Sequence, residues 1–317
     1  TGPTGQRARK AMTAALSRQV ESGLPADVID RSAAYGRALA DHIIAWSATD
    51  GGAVITNMGF PHEFPLGGTP ASWVPTGPIA QQQRPLLPDW GKVRPFAMPA
   101  GATCHLPPPP AYDETPGSAF YLEAKEVYDT TRALTDEQRL MARFWSDDPM
   151  LSPTPPGHWI SILLQISNRD GLDIATRTDA LARLGIAVAD AFIGCWYSKF
   201  EYDLLRPVTY IRRVIDPKWE TVLITPPFPE YPSGHSTQSG AAATVLTALF
   251  GEDFAFDDAT HAADGLPVRS FPSFQAAAEE AALSRLYGGV HFRAAIEQGL
   301  TQGKCIGAYA AALVTRK

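Results

Sequence analysis

The chain has 317 residues, 45% of them hydrophobic and 19% charged, with a net charge of −6 at pH 7. That is ample for a large buried core, and the acidic balance excludes the broad basic surface that nucleic-acid binding needs. No apolar run reaches the roughly 18 residues of a membrane span, the longest candidates being around 187–196 and 241–250.

The first 50 or so residues read as helical. Val28, Tyr35, Leu39, Ile43 and Trp46 recur near helical spacing, and Asp50-Gly51-Gly52 stops the pattern. His42 there reads as a core or surface histidine. The chain starts at Thr1 rather than Met, so a leader removed before export is consistent with it, and the compartment stays open. Residues 61–116 carry 14 of the 28 prolines, interleaved with Trp73, Trp90, Phe96 and Tyr112. This predicts an ordered arm wrapped over a helical body, with a short polyproline piece at 107–110; His62 and His105 read as ordinary surface or core residues.

Helices are expected again from Ala119. Thr135 to Gln138 forms a capping box, followed by the apolar face Leu140, Met141, Phe144 and Trp145. That helix ends in Asp147-Asp148, two acids where a helix favours cations, so they should answer a positive partner elsewhere. Another helix begins after Pro156, with His158 near its entry. A long one is expected from about 173 to 205, stopped by Arg206-Pro207; its middle is apolar all round, so Asp190 needs a buried partner. Lys199 and Arg206 lie seven residues apart, which on one helix sets both cations on one side, ~10 Å apart.

The stretch from Pro226 to His235 has four prolines in its first seven residues and cannot be helix. Small residues then run to Gly251 as a helix. Ser233-Gly234-His235 therefore sits at a helix N-terminus, with open N–H groups, a hydroxyl, a close backbone approach and a proton donor for an anion. A plain proline-rich helix entry with a capping serine would look the same. Residues 252–272 read as a loop, and the last part as two helices broken at Gly288-Gly289, between Arg285 and His291. No strand pattern stands out, and the class is all-α. The three cysteines, Cys104, Cys195 and Cys305, lack metal-ligand spacing and read as buried thiols.

Lys199-x6-Arg206-Pro207, Pro232-Ser233-Gly234-His235 and Ser284-Arg285-x5-His291 occur in this order. Together they resemble the signature shared by type 2 phosphatidic acid phosphatases, bacterial acid phosphatases and vanadium-dependent haloperoxidases. The haloperoxidases are the nearer branch: PPFPEYPSGH resembles the fungal chloroperoxidase segment, and Trp196 stands three before the lysine as in that branch. FWSDDP followed by TPPGHW resembles the haloperoxidase stretch whose aspartate pairs with an oxyanion-binding arginine. The likeness runs from about Trp90 to the C-terminus. One departure is Ala295, where family members usually carry aspartate four residues after the last motif histidine, a carboxylate that would support His291.

The resemblance implies a single helical domain of two four-helix bundles, with N-terminal helices over 1–60, the arm over 61–116 and the oxyanion-binding core over 117–317. It implies vanadate, or phosphate or sulfate in its place, ligated by His291 and held by Lys199, Arg206, Ser233, Gly234, His235 and Arg285. Hydrogen peroxide and a halide would be the substrates, with a small organic acceptor for the hypohalous acid. His235 would take the peroxide's proton and Lys199 would polarise the bound peroxide. Asp148 would pair with Arg285, and replacing it should cost anion affinity far more than replacing Asp147. Phe228, five before the motif serine, and Trp196 match the chloroperoxidase side, which implies bromide and also chloride oxidation at acid pH. The same site would serve an acid phosphatase, with His291 as nucleophile and His235 protonating the leaving group; a non-enzymatic oxyanion-binding helical protein is the third reading. A homo-oligomer is compatible with all three.

Overall fold

The computed structural model describes residues 2–56, 64–77, 84–147 and 153–315. They fall into two compact units, 1–53 and 54–317. The first is built on α1 (Pro3–Glu21) and α2 (Ala26–Ser47), neither of which has a buried residue. A short helix, α3 (Gly52–Thr56), follows.

The second unit is helical, as expected. It holds α4 (Ala119–Arg132), α5 (Asp136–Phe144), α6 (Pro155–Arg169), α7 (Ile174–Tyr202), α8 (Pro207–Val214), α9 (Gly234–Phe250), α10 (Phe274–Tyr287) and α11 (Arg293–Ala311). The capping box forms between Thr135 and Gln138 and opens α5. The region 252–272, expected to be loop only, contains a small antiparallel hairpin, β1 (Phe256–Asp258) with β2 (Arg269–Phe271). Three residues per strand are too few to show alternation in sequence.

α9 is the axis of this unit. Its small side chains are buried on every side, from Ser236 to Ala243 and again at Val245 and Leu246. α7, α10 and α11 pack against it. α11 approaches at backbone range because Gly299, Gly303 and Gly307 form one stripe along it. A Cβ at Gly303 would lie 2.1 Å from the Thr237 carbonyl oxygen. Backbone cannot yield as a flexible side chain does, so Gly303→Ala should destabilise by about 3 kcal/mol or more, read from urea unfolding. A loss under about 0.5 kcal/mol would mean that α9 and α11 are not in this contact.

α7 is long and apolar enough to cross a membrane by composition alone, and 56% of its most apolar window is buried in this core. Asp190, midway along it, finds the partner its burial demands: its carboxylate accepts the N–H groups of Phe96, Ala97 and Met98 at 2.7, 2.8 and 3.0 Å. These bonds tie the arm to the core. So does a disulfide between Cys104 and Cys305, 201 residues apart, which corrects the reading of these two as thiols. Closing so long a loop restricts the unfolded chain, worth about 5 kcal/mol. Cys195 is the free, buried thiol.

A second correction concerns the cations. α7 ends at Tyr202, where Asp203 turns left-handed at φ 44°, and Arg206 is the N-cap of α8. Lys199 and Arg206 thus do not share a helix face. A turn between two helices brings them together instead.

Candidate active site

The site is built on the entry to α9. Ser233 caps it, its hydroxyl accepting the Ser236 N–H at 3.3 Å, while its own N–H goes to the Ala295 carbonyl at 3.0 Å. Helix geometry leaves the N–H groups of Gly234 and His235 without an intrahelical acceptor. The extended segment before Ser233 is held from below by Lys199. This fully buried ammonium donates to the carbonyls of Pro229, Glu230 and Pro232 at 2.9, 2.9 and 2.5 Å. Burial, with Arg206 close by, pulls its pKa down to about 7. Lys199 was expected to face the oxyanion. Its three hydrogens are committed to the loop instead, because a buried ammonium needs an acceptor for each.

Arg206 lies beside it, completely buried. Nε donates to the Phe228 carbonyl at 2.9 Å and Nη1 to the Val290 carbonyl at 2.8 Å. Nη1 also lies 3.1 Å from His291 Nε2, and Nη2 has no partner among the described residues. Since Arg206 can only donate, Nε2 of His291 is an acceptor and carries a lone pair. The ring's other nitrogen, Nδ1, lies 2.8 Å from Glu230 Oε1. Burial and the charges of Arg206, Lys199 and Arg285 hold His291 well below its ordinary pKa, so it is neutral. Arg285, at the end of α10, donates from Nη1 to the Trp145 carbonyl at 3.0 Å. Three basic side chains thus crowd a buried site that also holds Glu230, pushed up to about 8 by burial against the pull of Arg206 and Lys199.

His235 follows Gly234 and faces a cavity of about 510 Å³ lined also by Gly234, Gln238, Arg285 and His291. Burial and Arg285 pull its pKa down to about 4. Its Nε2 lies 3.6 Å from Asp147 Oδ2. The opposite wall is apolar. Phe192 stacks on Trp196 at 3.7 Å, and Trp196 meets Phe228 at 4.8 Å. The Phe228 ring lies 5.1 Å from Lys199 Nζ and 5.0 Å from the Arg206 guanidinium, within cation–π range of both.

Asp147 is where the structure departs most from expectation. It is fully buried, not a lesser partner at a helix end. His158 Nδ1 lies 2.9 Å from its Oδ1 and His261 Nε2 3.4 Å. Burial alone would raise its pKa, but hydrogen bonds from His158 and His261 and the nearby His235 ring hold it well below the usual carboxylate range. His158 donates from Nε2 to Asp258 at 2.8 Å as well. With both nitrogens donating to carboxylates, His158 is an imidazolium; these acids raise it to about 9 against the cost of burial. No lone pair is left on it for a metal. It also stacks on Trp145 at 4.3 Å.

The structure therefore brings Lys199, Arg206, Ser233, Gly234, His235, Arg285 and His291 to one place, walled by Trp196 and Phe228. Asp148, expected to pair with Arg285, lies outside the described residues. Asp147, His158, His261 and Glu230 are the residues that sequence reasoning missed. The charged pair at the end of α5 and the histidine at the entry of α6 were visible, but nothing local linked them.

The family model of the VCPO second helical-bundle domain matches residues 179–317. A crystal structure of a bacterial vanadium-dependent iodoperoxidase is similar at a TM-score of 0.86 and 43% identity, covering 95% of this chain and 73% of that one. A vanadium chloroperoxidase from Curvularia inaequalis is 27% identical over 171 residues, 46% of this chain and 28% of that protein. A vanadium-dependent bromoperoxidase from Ascophyllum nodosum is 34% identical over 124 residues, 33% of this chain and 22% of that protein. The chain thus spans about a quarter of the length of the curated relatives it matches.

Proposed function

Because the chain belongs to the vanadium-dependent haloperoxidase family, we propose that it oxidises halides with hydrogen peroxide at a vanadate held in this site. One observation carries the reading: a neutral His291 keeps an Nε2 lone pair, shared here only with Arg206 Nη1, among buried cations and beside an Arg206 Nη2 that has no partner among the described residues. A lone pair alone would suit a cation, and arginines alone would suit any anion. The two together suit an oxyanion whose central atom accepts a ligand.

When bound, vanadate supplies a Lewis acid that activates hydrogen peroxide toward halide without changing oxidation state. The chain's own groups do the rest. His291 Nε2 is the protein ligand. Arg206, Arg285, the Ser233 hydroxyl and the N–H groups of Gly234 and His235 hold oxygens. Lys199 keeps the 229–232 loop in place through its bonds to three of its carbonyls. The apolar wall of Trp196 and Phe228 thins the water around the reacting groups, which strengthens every charge interaction there.

The low pKa of His235 weighs for this function over that of a phosphatase. With a pKa near 4 it is neutral at neutral pH and serves as a base toward hydrogen peroxide. A phosphomonoesterase would need it as an imidazolium to protonate the leaving group, which this environment disfavours. The same property orders the halides. Iodide gives up electrons most easily and chloride least, so chloride needs the peroxide most strongly activated by a protonated His235. Iodide and bromide are therefore the proposed substrates near neutral pH, with chloride turnover confined below about pH 4. The product is hypohalous acid, which passes to a small organic acceptor.

Steady-state assays with the three halides from about pH 3 to about 8, with and without vanadate, test this. Chloride turnover matching bromide at neutral pH would overturn the halide order. Vanadate-independent hydrolysis of p-nitrophenyl phosphate, with no halide oxidation, would replace the reading by the phosphatase.

A further inference from the structure

We propose that Glu230 is the positioning residue of His291, standing in for the carboxylate absent at position 295. Glu230 lies three residues before Ser233, in the segment whose prolines hold it extended. Its side chain is completely buried. Oε1 accepts from His291 Nδ1 at 2.8 Å and from the Phe292 N–H at 2.8 Å. Two donors from adjacent residues converge on one oxygen. That oxygen must be an acceptor, so the ring proton of His291 is on Nδ1 and the lone pair on Nε2. The independent contact at the other end of the ring agrees, since Arg206 Nη1 can only donate to Nε2. Protonation at Oε2 would leave this pattern unchanged.

Glu230 is itself fixed along its backbone. Its N–H goes to the Leu204 carbonyl at 2.8 Å, and its own carbonyl takes Lys199 Nζ at 2.9 Å. Lys199 therefore acts on His291 through Glu230, a connection that its distance from the cavity would not suggest. Position 295 is complementary. Ala295 is buried, gives its carbonyl to the Ser233 N–H at 3.0 Å, and lines a small cavity of about 10 Å³ with Glu230, Glu123 and Tyr231. The backbone of residue 295 thus still supports the serine, while its methyl side chain adds no charge beside Glu230. A carboxylate there would meet that of Glu230, and Glu123 lines the same cavity. Like charges at that range cannot all ionise.

The inference rests on the vanadate reading for its affinity measurement only. The other measurement is the tautomer of His291, read by nitrogen-15 chemical shifts in protein free of vanadate. In the native chain His291 should carry its proton on Nδ1. Glu230→Gln keeps an acceptor oxygen and should keep that tautomer, with vanadate affinity within about threefold. Glu230→Ala should shift the tautomer and weaken vanadate binding by about 10–100-fold, the cost of losing a partner behind a metal-ligating histidine. Circular dichroism and urea unfolding of both variants show whether they are folded, and the glutamine variant carries the test if the alanine one is not. Retention of the Nδ1 proton in Glu230→Ala would overturn the proposal, as would an unprotonated Nδ1 in the native or the glutamine protein. A native protein with the expected tautomer and no vanadate affinity would count against the haloperoxidase reading and leave this one standing.

Discussion

Alanine in place of His291 is expected to remove vanadate binding by more than about 100-fold, above the 10–100-fold typical of groups that only orient a ligand. Phosphate binding should fall by less than about tenfold, or 1.4 kcal/mol. The difference follows from the two kinds of attraction in the site. Arg206, Arg285 and the N–H groups of α9 act on any oxyanion through charge and hydrogen bonds, and they remain in the variant. The Nε2 lone pair acts only on a central atom that accepts one. His291 is neutral because burial and three nearby cations keep it so, and affinity should therefore hold under mildly acid conditions in the native protein. Calorimetric titration of native and variant protein with orthovanadate and with phosphate is the measurement. Equal losses for the two anions would show that His291 is only a hydrogen-bonding group.

Asp147→Asn should cost about 3–5 kcal/mol of stability, the usual result of removing one partner from a buried charged pair. The residue left behind is His158, an imidazolium buried between Asp147 and Asp258. The pH dependence makes this test specific. His158 is raised from its ordinary 6.5 to about 9. Its contribution to stability is fully present below about pH 6.5 and is lost as pH rises through about 9, a loss of about 3 kcal/mol at 1.36 per unit. Asp147 has the opposite sign. Its depressed pKa gives stability that is present above about pH 4 and lost only in strong acid. The contribution of this pair should thus be greatest between about pH 4 and 6.5 and decline toward 9, while the depressed His235 and Lys199 act with the opposite sign to His158. In Asp147→Asn the decline should flatten, because His158 then has only Asp258 to hold its proton. Urea unfolding of both proteins at about pH 6 and about pH 9 measures it. Parallel declines would place the origin of the pH dependence elsewhere. The variant also removes the carboxylate that raises His235, so any chloride turnover should move to still lower pH.

These two residues differ in how far they could be read in advance. His291 sits in a spacing, Arg285-x5-His291, that is preserved when the chain is written out as a line. So do Lys199, Arg206 and Ser233-Gly234-His235. Asp147 does not. Its partners are 11 and 114 residues away along the chain, and no local pattern joins them. The neighbouring Asp148 attracted the resemblance, while Asp147 carries the buried contacts among the described residues.

What the chain's order alone determined is local. Prolines forbid helix before Ser233 and small residues allow it after; Thr135 and Gln138 begin α5; Gly251, at φ 104°, ends α9; a lone Asp190 in an apolar helix demands a partner. Each depends on residues within a turn or two, where backbone geometry is set by nearest neighbours. The tertiary structure alone decided where buried polar groups point. Lys199 turns its ammonium onto three carbonyls of the loop, Glu230 reaches His291, and Cys104 finds Cys305. The physical reason is common to all of them. A polar group taken out of water must find a partner, and which partners come within reach depends on how α7, α9, α10 and α11 pack. Packing at that distance follows from the shape of the whole core, and the glycine stripe on α11 matters only once α9 lies against it.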